Sequence, residues 1–335
     1  MSALSSVQIA VAGEALIDLI ARPDGAFEPC LGGAVYNLCR ALSLQGLSTL
    51  YLNPFSKDRF GRALCQQMLD DGVLLSHAEP IAEPTSLAVV SLDASGHPDY
   101  AFYRAGVADR QVNAAQLNAA CDTALVPGLQ WVCTGGLALD PQDAEVYLPW
   151  LKTQRAAGQL VAVDANLRPS VMPDLVAYRS HILSLLNHAH LVKVSDEDLQ
   201  HLQVPGADPL SQARHLMAQI PASLMALTLG ADGAYLLSRN GASWFAQEAQ
   251  SLQVIDTVGA GDSFLAGLLA ALTRVGFDGQ QALSAAAGEQ VLRHALASAS
   301  LCVQARGCVP PSEAASREWA TQHPATTRFQ APGKS

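Results

Sequence analysis

Short apolar runs recur along the chain, spaced so that a helix fits between successive ones. Val7 to Ala12, Trp131–Cys133, Leu160–Val163, Leu191–Val194 and Leu224–Leu229 each read as a buried strand. Between them Pro141–Ala157, Leu175–Asn187 and Pro209–Gln219 carry the apolar periodicity of helices packed on one side. Strands that are apolar on both faces and alternate with helices predict an α/β fold, a doubly wound and mainly parallel sheet. Ligands of such sheets bind beyond the carboxyl ends of the strands.

Two segments break this rhythm. Leu16–Glu28 holds the turn signal Pro23-Asp24-Gly25 between two apolar pieces, and Ser86–Arg104 reads as a hairpin around Asp93-Ala94-Ser95-Gly96-His97. Neither has a helix of its own, which predicts a small antiparallel β lid projecting from the main body. The expected organisation places residues 1–15 in a large α/β domain, 16–33 in the lid, and 34–85 in the large domain again. Residues 86–106 form the lid hairpin and 107–318 the large domain with its nucleotide site. Residues 319–335, polar and containing Pro and Gly, are expected to form a loose tail.

Composition narrows the classes. With 335 residues, 50% of them apolar and 15% charged, the chain can bury a large core. A net charge of −10 argues against a nucleic-acid-binding surface, which needs clustered Lys and Arg. The seven cysteines are scattered and contain no Cys-x-x-Cys pair, which predicts free thiols and a reducing, cytoplasmic setting. The apolar stretch Val7 to Ile20 is broken by Glu14 and Asp18, so no signal peptide is read there. No run approaches a membrane span. Neither nucleic acid nor membrane is expected as a partner.

Candidate chemistry concentrates in Asp256-Thr257-Val258-Gly259-Ala260-Gly261-Asp262, which runs into the apolar helical stretch Ser263–Leu272. Gly259, Ala260 and Gly261 leave backbone N–H groups uncovered at a helix N-terminus, which makes an anion site. A phosphoryl group in transfer needs such a site, because its transition state spreads negative charge over three oxygens. Asp262, in the first helical turn beside it, can accept the proton of an attacking hydroxyl. Taken alone, Asp262 reads equally as a carboxylate favoured by the helix dipole.

The whole segment resembles the carboxy-terminal signature of the ribokinase-like (PfkB) carbohydrate kinases, Asp-Thr-x-Gly-Ala-Gly-Asp. The resemblance implies that Asp262 is the general base and that Gly259, Ala260 and Gly261 form the anion hole. A second signature lies near the N-terminus: Gly32-Gly33-Ala34-x-x-Asn37 follows Gly13-Glu14-Ala15-Leu16-Ile17-Asp18, as in that family. It implies a sugar held by Asp18, Gly32, Gly33 and Asn37, whose acceptors and donors suit hydroxyl groups. Val35 and Tyr36 replace the small residues usual beside the diglycine, and the bulk of Tyr36 is expected to bear on which sugar fits.

Further segments resemble family elements. Phe102-Tyr103-Arg104 implies an Arg104 contact to the sugar, the alternative being an edge-strand arginine that blocks aggregation. Asp164-Ala165-Asn166-Leu167-Arg168 ends a core strand and implies that Asn166 lies between sugar and phosphates. Lys193 begins the region that organises magnesium through water, where this chain has Ser195 and Asp198 for the usual Asn and Glu. Glu197 competes with Asp198 for that role, and a helix cap at Ser195 is the plainer alternative. Thr228, Gly230 and Gly233 match the nucleotide-side turn, which reads equally as a hairpin turn. Ser298 is placed near the adenine. Asp256, with the Arg306-Gly307-Cys308 loop, matches the region that binds a monovalent cation such as K⁺.

The resemblance runs from residue 7 to about 312 and is closest to bacterial fructokinases. It implies ATP-dependent transfer of a phosphoryl group, with Mg²⁺, to a primary hydroxyl of a monosaccharide, fructose first. Kinases of 2-keto-3-deoxygluconate, ribose or aminoimidazole riboside are alternatives, and a non-catalytic sugar or nucleotide sensor is the reading from another class. A homodimer through the lid is a further expectation. No Walker-type Gly-x-x-x-x-Gly-Lys-Ser/Thr occurs, since Gly333-Lys334-Ser335 lacks the upstream Gly, and no Gly-x-Gly-x-x-Gly, Gly-x-Ser-x-Gly or His-Glu-x-x-His occurs either.

Overall fold

The computed structural model describes residues 6–22, 24–92 and 98–332. Pro23, the predicted turn Asp93–His97 and Gly333-Lys334-Ser335 lie outside the described residues.

Among the described residues, fourteen strands form two sheets. In chain order they are β1 (Ile9–Val11), β2 (Leu16–Ala21), β3 (Phe27–Gly32), β4 (Thr49–Tyr51), β5 (Leu74–Leu75), β6 (Ser86–Leu92) and β7 (Pro98–Tyr103). There follow β8 (Trp131–Gly135), β9 (Leu160–Asp164), β10 (Leu191–Ser195), β11 (Leu224–Thr228), β12 (Ala234–Ser238), β13 (Ser243–Glu248) and β14 (Ala325–Gln330). The α-helices are α1 (Ala34–Leu44), α2 (Arg59–Asp70), α3 (Ala114–Ala120), α4 (Ala144–Ala156), α5 (Leu175–Leu186), α6 (Asp196–His201), α7 (Pro209–Gln219), α8 (Ala260–Arg274), α9 (Ala285–Cys302) and α10 (Glu313–Gln322).

The large sheet has the order β14-β13-β12-β11-β10-β9-β8-β1-β4-β5. Its strands from β11 to β5 pair in parallel. β12, β13 and β14 are added antiparallel at one edge. Period-two alternation divides the apolar residues between two cores, one on each face. Ala10, Val132, Val161 and Val192 face one cluster with Trp150 and Tyr178, whereas Ile9, Val11, Ala162 and Leu191 face the other with Leu38 and Phe264. The strand order reverses at β1, so the carboxyl ends of β1 and β8 open a crevice at a topological switch point.

The small sheet, β3-β2-β6-β7, leaves the large one directly after β1. Its two hairpins are antiparallel, and β2 pairs with β6 in parallel.

The expected loose tail over 319–335 is corrected. Residues 325–330 form β14, which pairs with β13 along all six residues, and Phe329 lies tilted against Trp244 with ring centroids 5.4 Å apart. The segment Ala-Thr-Thr-Arg-Phe-Gln is rich in strand formers, but its polar residues on an edge strand hide that signal. Tyr36 is corrected as well. It has no exposed surface and donates its hydroxyl to the Leu64 carbonyl at 3.2 Å, so its bulk fills the core and does not reach a sugar.

Candidate active site

The site forms where the carboxyl ends of β9, β10 and β11 meet the first turns of α1 and α8. Among the described residues, seven of the ten α-helices are capped by a side chain at their N-terminus; α1, α4 and α8 are not. Two of these three exceptions start at the glycine segments singled out in the sequence. At α8 the N-cap is Gly259, left-handed at φ 78°, and no side chain covers its amides. A side chain at Gly259 would also strike Cys308, its Cβ falling 2.8 Å from the Cys308 Cβ. Gly is thus required twice, for dihedral and for space.

Asp262 is the third residue of α8 and is 7% exposed. Burial first, and the neighbouring Asp164 charge second, push its carboxyl up to about 7. Lys193, a hydrogen bond with Asn37, and Arg168 pull in the other direction. A buried carboxyl at this value is poised to take a proton near neutrality. The Lys193 ammonium reaches both oxygens of Asp164, at 2.8 and 3.0 Å, and both side chains are nearly inaccessible. It also lies against α8, since a Cβ on Gly261 would stand 3.2 Å from Nζ. The register of β9, β10 and β11 sets Lys193 beside Asp164, and Ser195 beside Thr228.

On the α1 side, Gly33 starts the helix at φ 106°, where a Cβ would lie 2.9 Å from the Glu14 carbonyl oxygen. Glu14 takes the place of a cap: its Oε1 accepts from Ala34 N at 3.1 Å. Burial raises its carboxyl to about 7. Asp18, on β2, has its carboxylate against the bare face of Gly32, which no larger residue would allow. Burial raises Asp18 to about 6, with Arg168 opposing. Asn37 links the two halves, being on α1 and bonded to Asp262 on α8. Asn166, directly after β9, adopts φ 34°, a conformation unusual for a residue with a side chain. Arg168, exposed on the same loop, reaches electrostatically to both Asp18 and Asp262, a convergence that reading its strand-end segment in isolation does not reveal.

Other expected residues have different surroundings. Arg104 turns inward from the end of β7 to Asp140 at 3.1 Å and Asp143 at 3.6 Å and donates to the Leu137 carbonyl, leaving its buried Nε unpartnered. Arg104 thereby anchors the lid to the turn after β8, and the edge-strand alternative does not hold. The oxygens of Asp198 accept from Leu167 N at 2.7 Å and Ser195 N at 2.8 Å, in a capping box with Ser195. Glu197 is the exposed carboxylate of that turn. Asp256 accepts from Val258 N and Gly307 N, tying the signature segment to the Arg306-Gly307-Cys308 loop. Thr228, Gly230 and Gly233 form the turn from β11 into β12, where Gly233 is required by contact with Ala246 and Gln247. Ser298, expected near the adenine, is fully buried between Gln45, at 3.4 Å, and Gly267, on the packed side of α9, and has no open surface for a ligand to touch. Small residues recur along that helix, and only packing reveals which face each one takes.

The profile of the pfkB family carbohydrate kinases matches residues 7–315. A fructokinase of Rhizobium leguminosarum bv. trifolii is 32% identical over 270 residues, 78% of either chain. An aminoimidazole riboside kinase of Salmonella typhimurium is 30% identical over 272 residues, 79% of this chain and 80% of that one. The crystal structure of a Xylella fastidiosa fructokinase with bound ATP superposes with a TM-score of 0.81 at 26% identity, covering 94% of this chain and 98% of that one. The chain belongs to the pfkB family of carbohydrate kinases and is a phosphotransferase acting on a sugar hydroxyl.

Proposed function

We propose that this pfkB-family kinase transfers the terminal phosphoryl group of ATP to a primary hydroxyl of fructose. The observation that carries the reading is the convergence at the uncapped start of α8: a buried base, Asp262, joined to Asn37 of the diglycine helix and flanked by Lys193. The sugar is bound by Asp18, Gly32, Gly33 and Asn37. Its hydroxyl gives up its proton to Asp262 as its oxygen bonds to phosphorus. The bond from phosphorus to the leaving diphosphate breaks, and the amides of Gly259, Ala260 and Gly261, with the Lys193 ammonium nearby, balance the negative charge. ATP is supported by the nucleotide in the Xylella structure, and fructose by the Rhizobium relative.

A magnesium ion would be held through water beside Asp198 and Glu197 and not by direct ligation. Among the described residues no three His, Cys, Asp or Glu side chains gather to hold one, and Asp198 already serves two backbone amides. Each oxygen of Asp256 accepts from one backbone amide, which leaves a lone pair on each for a monovalent cation. A homodimer through the lid is supported by the apolar surface left open there, with Ile20 41%, Phe27 48% and Tyr103 62% exposed. Among the described residues no helix is long and apolar enough to cross a membrane.

The test is release of ADP with a panel of fructose, 2-keto-3-deoxygluconate, ribose and aminoimidazole riboside. The expected result is the highest kcat/KM with fructose; a higher value with another acceptor reassigns the sugar, and none with any acceptor ends the kinase reading. A second expectation concerns Gly32. Its replacement by Ala puts a methyl group where the Asp18 carboxylate sits. Displacing a charged hydrogen-bonding group costs on the order of 10- to 100-fold in sugar affinity. KM for the sugar should rise by that factor while KM for ATP stays constant, measured by varying each substrate in turn.

A further inference from the structure

Two of the seven cysteines meet at the N-cap of α8, against the Val258–Gly259 peptide. Cys302, the last residue of α9, is fully buried and donates its thiol to the Val258 carbonyl at 3.6 Å. Cys308 follows on the next loop, is partly exposed, and packs on the bare face of Gly259. The two thiols are near enough to shift each other's proton affinity, Cys302 downward and Cys308 upward. Gly307 N is bonded to Asp256, and Val303 O accepts from Ile255 N and Asp256 N, so the loop carrying Cys308 is fixed to the strand of chain that enters the anion hole. Cys39 and Cys133 are also neighbours, but neither has exposed surface for an oxidant to reach.

We propose that Cys302 and Cys308 are an oxidisable dithiol, a modification site whose disulfide switches off the anion hole. The oxidant is a peroxide. The Cys308 sulfur attacks the peroxide, an S–O bond forms, the O–O bond breaks, and the departing oxygen leaves as water with the thiol proton. The Cys302 sulfur then attacks the Cys308 sulfur, the S–S bond forms, and the second oxygen leaves as water with the second thiol proton. Two thiols and one hydrogen peroxide give one disulfide and two waters, with two electrons passing from sulfur to oxygen. The bonded sulfurs must come to about 2.05 Å, closer than unbonded thiols, so Cys308 has to move toward α9. Gly259, which packs on Cys308 and has no side chain of its own to hold it, loses that support. Misplacing aligned reacting groups by about 1 Å costs about 100-fold in rate.

The inference rests on the anion-hole reading of residues 259–261, and the experiment separates the two. The purified protein is treated with hydrogen peroxide and digested with trypsin without reductant. Cleavage after Arg293, Arg306 and Arg317 leaves Cys302 and Cys308 on different peptides, so their linkage is read directly by mass. The expected result is that linked pair, with a kinase rate lowered about 100-fold in step with linkage and restored by dithiothreitol. Cys302→Ala and Cys308→Ser should each lose the sensitivity to peroxide. Absence of the linked pair overturns the proposal, as does full rate in the linked protein or unchanged inactivation in Cys302→Ala. If a variant does not fold, the time courses of linkage and inactivation in the wild type decide the matter. A protein inactive before any oxidation counts against the proposed function instead, and the peptide map still decides whether the disulfide forms.

Discussion

Asp262→Asn is expected to lower kcat by about 10³-fold, the middle of the range for loss of a positioned base, and at the same time to make the protein more stable above pH 7. Both effects follow from one carboxyl. To accept a proton Asp262 must be ionised, and burial holds its carboxyl at about 7 in place of 3.8. In the wild type, kcat should therefore fall tenfold for each pH unit below about 7 and level off above it. The sign of the stability effect is the reverse. The folded chain holds the Asp262 proton more tightly than the unfolded chain does, so the contribution of this group is fully present below pH 3.8 and is lost as pH rises through about 7. Above that, the carboxylate is charged in both states and its burial costs on the order of 4 kcal/mol. Asn carries no such charge. Thermal denaturation of the free protein at pH 8 should show a higher midpoint for the variant, and the difference should vanish near pH 4. A variant with the wild-type rate would remove Asp262 as the base; one with the rate loss but no gain at pH 8 would show that the carboxylate is solvated more freely than its burial indicates.

The two glycine segments were legible because they break a rule that most helices of the chain follow. A helix that starts at Gly259 or Gly33 forgoes the Ser, Asp or Asn that caps most of its companions, and such an omission is visible in the residues themselves. The strands β8 to β11 were legible for a different reason: being buried on both faces, they read as mainly apolar runs, broken in β10 only by Lys193 at the site. What stayed hidden depends on pairings distant in sequence. Nothing local to Arg104 announces Asp140 and Asp143 as its partners, and the three meet only because the lid folds back over the turn after β8. Asp198 looked like a free acid but spends both oxygens on backbone amides, one of them 31 residues away at Leu167. Strand β14 was missed because an edge strand needs no apolar face to pair. The burial of Ser298 was hidden because both faces of α9 carry small residues, and only contact with Gly267 and Gln45 shows which one is packed.

Lys193→Met should produce the other large loss, in stability and rate together, and a second substitution should separate the two. Lys193 holds both oxygens of Asp164 at a site with 5% and 4% of the side chains exposed. Removing one partner of such a pair leaves a buried charge without compensation, at a cost of about 3–5 kcal/mol. The same ammonium lies beside Gly261 at the anion hole, and losing one such donor lowers kcat by on the order of 10²–10³. Adding Asp164→Asn removes the stranded charge. The double variant should therefore recover most of the midpoint in urea but not the rate. Recovery of both would mean that Lys193 is a salt-bridge partner and nothing more. The pH profile gives an independent reading of the same geometry. Lys193 lowers and Asp164 raises the carboxyl of Asp262. In Lys193→Met the rising limb of kcat should move above pH 7, and in the double variant it should move back, because the repelling carboxylate has gone with its partner. A limb that stays in place in both variants would mean that the group titrating in kcat is not in contact with this pair, and the base would have to be sought elsewhere.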